Sequence, residues 1–216
     1  MTGQRAAGPA SLGERARAVR LGPFATQQAF KVMLDTLARP GTIGYLVVPT
    51  DVPAALVPAL TLADVEVPLA VLEAGDGWSG PVNAVTGAPR ATAPEAGIVA
   101  ALRPVRVDEV TSLRRGSAYA PEEGARLVLA VERLDNSVGP LRLVLSGPGV
   151  PGQRSVVVTG LDSAVVAAVQ EANADYPAGI DVHLVAADGA LVSIPRTATI
   201  RAEDATRDAD QIEGAY

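Results

Sequence analysis

Apolar and polar residues alternate over some stretches of this chain and recur at three- and four-residue spacing over others. RLVLAVERL (126–134), LRLVLSG (141–147) and QRSVVVTGL (153–161) carry the period-2 pattern of half-buried strands. IDVHLVAADGALVSI (180–194) reads as a hairpin, two alternating arms joined around Asp188-Gly189. Helical spacing sets in earlier, where Phe30, Met33, Leu34 and Leu37 share a face, with Thr26 as cap and Pro40-Gly41 as stop. Val165, Ala168, Val169 and Ala172 mark another helix within 162–174. A short helix is expected from Asp108 to Arg115, ended by Gly116. Asp51 with Pro53 signals a further helix start, shortened by Pro58. TIGYLVV (42–48) and GIVAALRPV (97–105) add apolar strands, VEVPLAVL (65–72) reads as a buried strand or, given Pro68, an edge, and GDGWSG (75–80) is a turn or loop. Strands, helices and hairpins interleave, which predicts an α/β fold with a mixed β-sheet flanked by helices.

The ordered domain is expected over 23–201. Residues 1–22 hold Arg5, Arg15, Arg17 and Arg20 among Gly, Ala and Pro without the apolar segment of a signal peptide, and read as a disordered leader. Residues 202–216 read as a flexible acidic tail.

Composition narrows the function. With 216 residues, 48% of them hydrophobic, the chain has enough apolar material for a full core. A net charge of −6 argues against nucleic-acid binding, which needs a basic face. No apolar run is long enough to cross a membrane, so a cytoplasmic location is expected. The chain contains no cysteine, which excludes thiolate metal sites, cysteine-held iron–sulfur clusters and cysteine nucleophiles. Lys31 is the one lysine among 18 basic residues, and it sits in a helix beside Phe30, a poor place for a Schiff base.

Few residues remain to carry chemistry. GPGVPG (147–152) matches G-x-G-x-x-G literally, but strand rather than helix follows it, so it reads as a turn. His183 is the sole histidine, on a strand face with Asp181 and Val185; a half-exposed or interfacial position is favoured over a catalytic base. The loop GSAYAPEEG (116–124) places Tyr119 and Glu122 either in solvent or facing a ligand. Arg196 follows the strand-ending Pro195 and precedes Thr197, a setting that suits an anion site as well as a structural ion pair.

Several segments together carry a family pattern. FKVMLDTLARPG (30–41), LTLAD (60–64), GSAYAPEEGARLVLAV (116–131), LSGPGV (145–150) and YPAGIDVHLVAADGALVSIPRTATI (176–200) keep their order in the chain. Over roughly 24–201 the chain resembles the PhnH family, subunits of the bacterial carbon–phosphorus lyase system. The resemblance implies an α/β core like that of pyridoxal-phosphate-dependent transferases, without a bound cofactor. It also implies a homodimer that joins partner subunits G, I and J in a core complex. That complex is linked to forming alpha-D-ribose 1-methylphosphonate 5-triphosphate from ATP and a phosphonate. The short supply of reactive side chains then favours a non-catalytic or substrate-positioning subunit. The rival is a free-standing nucleotide- or ribose-phosphate-handling enzyme with a phosphonate or nucleotide site around Arg196, Tyr119 and Asp181.

Overall fold

The computed structural model describes residues 11–75, 77–137 and 139–204. In chain order these form α1 (Leu12–Ala18), α2 (Pro23–Ala38), β1 (Gly44–Tyr45), α3 (Leu56–Leu62), β2 (Leu69–Leu72), α4 (Ser79–Thr86), β3 (Ile98–Ala101) and α5 (Val107–Thr111). A 3₁₀ turn (Pro121–Glu123) leads into β4 (Arg126–Val131), β5 (Arg133–Asp135), β6 (Leu141–Ser146) and β7 (Arg154–Thr159). Then come α6 (Ser163–Ala172), β8 (Asp181–Ala186), β9 (Ala190–Ile194) and β10 (Thr199–Asp204).

The strands make two sheets rather than the one expected. The larger is mixed, in the order β1-β9-β8-β4-β3-β2, with β2, β3, β4 and β8 parallel and β9 antiparallel to both of its neighbours, β8 and β1. The smaller is antiparallel, in the order β10-β6-β7-β5. Of the two positions left open for the 65–72 strand, β2 takes the edge, with Pro68 immediately before it. Period-2 alternation splits the large sheet's residues between its two faces, which carry three hydrophobic clusters. Leu127, Leu129, Val182, Leu184 and Val192 pack with α6 and with Leu143, Leu145, Val156 and Val158 of the smaller sheet. On the opposite face, Val128, Val185 and Leu191 meet Ala29 and Met33 of α2. Leu69, Ile98 and Ala100 meet Leu56 of α3 and Val82 of α4.

The helix over 23–38 turns a different face inward from the one expected. Ala29, Met33 and Thr36 are buried, whereas Phe30 and Leu34 are 49% and 54% exposed. The cap is Gly22, and Thr26 donates its hydroxyl to the Gly22 carbonyl. TIGYLVV forms a strand only at Gly44–Tyr45. GPGVPG is a turn between β6 and β7, as its context required; Gly149 has φ +79° and its backbone lies against the Ala38 carbonyl, where no side chain fits.

Both expected flanks are partly structured. Within 1–22, Ser11 and Glu14 form a capping box on α1, and Val19 is fully buried against the α3–α4 side. Within 202–216, Ala202 to Asp204 pair with Leu143 to Leu141 as the end of β10. The rest of both segments, 1–10 and 205–216, lies outside the described residues. Among the described residues no helix is long and apolar enough to cross a membrane.

Candidate functional site

The end of β9, the start of β8 and the 3₁₀ turn converge on Arg196. Its backbone N–H donates to Asp181 Oδ1 at 2.9 Å, and its side chain reaches the same carboxylate through Nε (3.3 Å) and Nη2 (2.9 Å). Nη1 donates to the Pro121 carbonyl. Both charged side chains are largely covered, at 13% and 14% exposure. Burial alone would raise the Asp181 carboxyl, but the hydrogen bonds and charge of Arg196, with the charge of Arg126, outweigh it and hold the group below its usual range. The geometry shows a structural ion pair at Arg196: a planar fork spanning a carboxylate and a carbonyl, tying three segments together.

The clamp depends on a glycine. Gly124 has φ −61°, which any residue adopts, so close approach is the reason for its identity. A Cβ there would press on the Gly179 carbonyl and lie 2.7 Å from Arg196 Nη1 and 3.1 Å from the Arg115 carbonyl. Gly124→Ala is expected to cost about 3 kcal/mol through overpacking, read as a fall of roughly 10 °C in the thermal midpoint. An unchanged midpoint would refute the tight approach.

Two clefts adjoin Arg196. One, of about 550 Å³, is bordered by Pro148, Gln170, Asn173, Tyr176, Thr197 and Thr199. The other, of about 310 Å³, is bordered by Pro121, Glu122, Pro177, Asp181 and Pro195. Tyr176, Arg196 and Thr197 belong to both. Asn173 braces the wall, its Oδ1 accepting from Ile180 N (2.7 Å) and its Nδ2 donating to Ile180 O (3.1 Å). Of the residues singled out in the sequence, Arg196, Thr197, Asp181 and Glu122 thus come together. Tyr119 does not join them: it is fully exposed and lines neither cleft.

His183 is not half-exposed but fully buried, because α2 covers the large sheet at this point. Its Nδ1 lies 2.7 Å from Ser193 Oγ, which lies 2.6 Å from Thr36 Oγ1. Thr36 donates its one hydroxyl proton to the Val32 and Met33 carbonyls, both at 3.0 Å. We therefore assign Ser193 as donor to Thr36 and acceptor from Nδ1–H, leaving Nε2 as the unprotonated nitrogen. Nε2 is buried with no hydrogen-bond partner among the described residues. Burial, assisted by Arg126 and opposed by Asp181, pushes the imidazole down to about 4. A neutral ring fixed inside a core latches α2 to the sheet and does not reach a substrate.

Ser193 and Thr36 were missed, although one signal pointed to Ser193. A hairpin centred on Asp188-Gly189 pairs His183 with Ser193, as the register shows. Nothing in the sequence marks Thr36, Asn173 or Tyr176. Among the described residues no group of three or more His, Cys, Asp or Glu side chains is placed to hold a metal ion. Lys31 is exposed on α2.

Comparison with known proteins gives the context for this site. The family described as Bacterial phosphonate metabolism protein (PhnH) matches residues 21–201. The chain is 37% identical over 92 residues to the putative C-P lyase subunit protein HtxG of Stutzerimonas stutzeri, covering 43% of this chain and 45% of that relative. It is 28% identical over 196 residues to the alpha-D-ribose 1-methylphosphonate 5-triphosphate synthase subunit PhnH of Rhizobium meliloti (strain 1021), covering 83% of this chain and 92% of that relative. The first match spans less than half of that relative's length, the second nearly all of it. With its α/β architecture and a match across most of its length, the chain belongs to the PhnH family of bacterial phosphonate metabolism proteins.

Proposed function

We propose that this chain is a non-catalytic or substrate-positioning subunit of a cytoplasmic carbon–phosphorus lyase core complex. In this role it supports formation of alpha-D-ribose 1-methylphosphonate 5-triphosphate from ATP and a phosphonate, as a homodimer joined to the G, I and J subunits. The observation that carries the reading is the fate of the reactive groups. Arg196 is engaged by Asp181 and Pro121, and the sole imidazole is enclosed with Ser193 and Thr36. Base exchange at a ribose needs acid–base groups that reach the substrate, so the reading assigns that chemistry to partner subunits. The likeness to pyridoxal-phosphate transferases belongs to the same proposal, which assigns no Schiff base to exposed Lys31. Exposed Phe24, Phe30 and Leu34 on α2, with exposed Tyr45 in β1 and Val47 just after it, supply apolar surface suited to assembly.

The test is adenine release from ATP in the presence of methylphosphonate. The isolated chain is expected to release none, a core complex lacking it to be impaired, and the complex with the chain restored to be active. Turnover by the isolated chain, or full activity without it, would overturn the proposal.

A further inference from the structure

We infer that the two clefts flanking Arg196 form one docking groove for an extended, basic segment of a partner polypeptide. This rests on the proposed role as a subunit and deepens it by naming where a partner binds. The clefts share Tyr176, Arg196 and Thr197 in their linings, and between them their linings run from Pro148 to Glu122. Their walls are mostly uncharged. Pro121, Pro148, Pro177 and Pro195 have fixed backbones, and exposed Tyr176 offers a large contact area at low entropic cost. Gln170, Thr197 and Thr199 supply side-chain donors and acceptors for a partner's main chain.

Charge selects the occupant. The charged residues lining the groove are Arg196, Asp181 and Glu122. Arg196 and Asp181 neutralise each other at 2.9 Å, which leaves Glu122 and a net charge of −1. Arg126, on the adjoining strand, acts on the same Asp181 carboxylate but lines neither cleft. Outside the linings, Glu123, Glu171 and Asp175 are exposed and so is Arg126, so the sign of the groove is set by Glu122. A groove of this sign disfavours a polyphosphate or a phosphonate and favours Lys or Arg on the incoming segment. The same count argues against the rival reading of Arg196 as the centre of a ribose-phosphate site.

The experiment uses the full chain, alone and assembled with the other core subunits of its own system. Hydrogen exchange is expected to show protection on assembly over residues 116–124, 176–179 and 195–199. Glu122→Arg, at an exposed position, is expected to weaken assembly about tenfold or more, and Tyr176→Ala to do so comparably. Assembly without protection there, and with full affinity in Glu122→Arg, would overturn the groove while leaving the subunit role standing. Failure of the chain to assemble at all would overturn both. ATP and methylphosphonate are titrated separately into the isolated chain; saturable binding of either that protects 195–199 would assign the groove to a small anion and overturn the inference.

Discussion

Arg196→Ala is expected to lower the unfolding free energy by about 3–5 kcal/mol, because it leaves a covered carboxylate without its partner. For a chain of this size that is a fall on the order of 10 °C in the thermal midpoint. The substitution removes the fork from Asp181 and a donor from the Pro121 carbonyl, so the 3₁₀ turn loses its tie to the β8–β9 hairpin. Arg196→Lys keeps the charge but cannot span both acceptors, and an intermediate loss is expected. Arg196→Met with Asp181→Leu removes both charges together and is expected to be more stable than Arg196→Ala alone. The pH dependence distinguishes this from a ligand role. The native Asp181 carboxyl lies below its ordinary value of 3.8, so the stabilisation is complete above 3.8 and lost as pH falls through the lower native value. The wild-type advantage over Arg196→Ala should therefore be full at pH 7 and shrink in acid, first as the variant's Asp181, left with its burial and without its partner, takes up a proton, and further as the native wild-type carboxylate is protonated. A variant of wild-type stability that loses only binding would restore the anion-site reading.

How far the sequence carries depends on whether its signals are local. The β8–β9 hairpin is legible because Asp188-Gly189 and two alternating arms lie within fifteen residues, and α6 is legible because Val165, Ala168, Val169 and Ala172 have only one face to choose. In α2 the helix is legible but its inner face is not. Both faces carry apolar residues, and the larger ones, Phe30 and Leu34, are excluded by close packing. β1 passes so near that a Cβ on Gly44 would fall 2.8 Å from Val32 Cγ1 and 2.9 Å from Thr36 Cγ2. The helix α1 was hidden by its arginines, though Ser11 and Glu14 spell a capping box, and Arg15 lies 5.2 Å over the Trp78 ring. At the site, Pro195 located a strand end. The hairpin register that pairs His183 with Ser193 also brings Asp181 opposite Pro195, beside Arg196. The Pro121 carbonyl, seventy-five residues away, comes from tertiary folding, which no local pattern encodes.

The buried latch gives the second large effect. Between pH 6.5 and about 4 the unfolded chain takes up a proton at His183 that the native chain refuses, so stability falls with pH across that window and levels below it. A displacement of that size corresponds to about 3 kcal/mol. The cause is geometric as well as dielectric: with Nδ1–H given to Ser193, an added proton must sit on Nε2, which has no acceptor among the described residues. Urea unfolding of wild type and His183→Asn at pH 7.5, 6.0, 5.0 and 4.5 measures the difference. The variant is expected to lose the His183 part of the slope while retaining any contribution from carboxylates. Ser193→Ala keeps the imidazole but orphans Nδ1 as well as removing the donor to Thr36, and a loss of about 1–3 kcal/mol is expected at neutral pH. Equal slopes in wild type and His183→Asn would mean that the ring is charged or hydrated in the native protein, and that α2 is held by apolar contact alone.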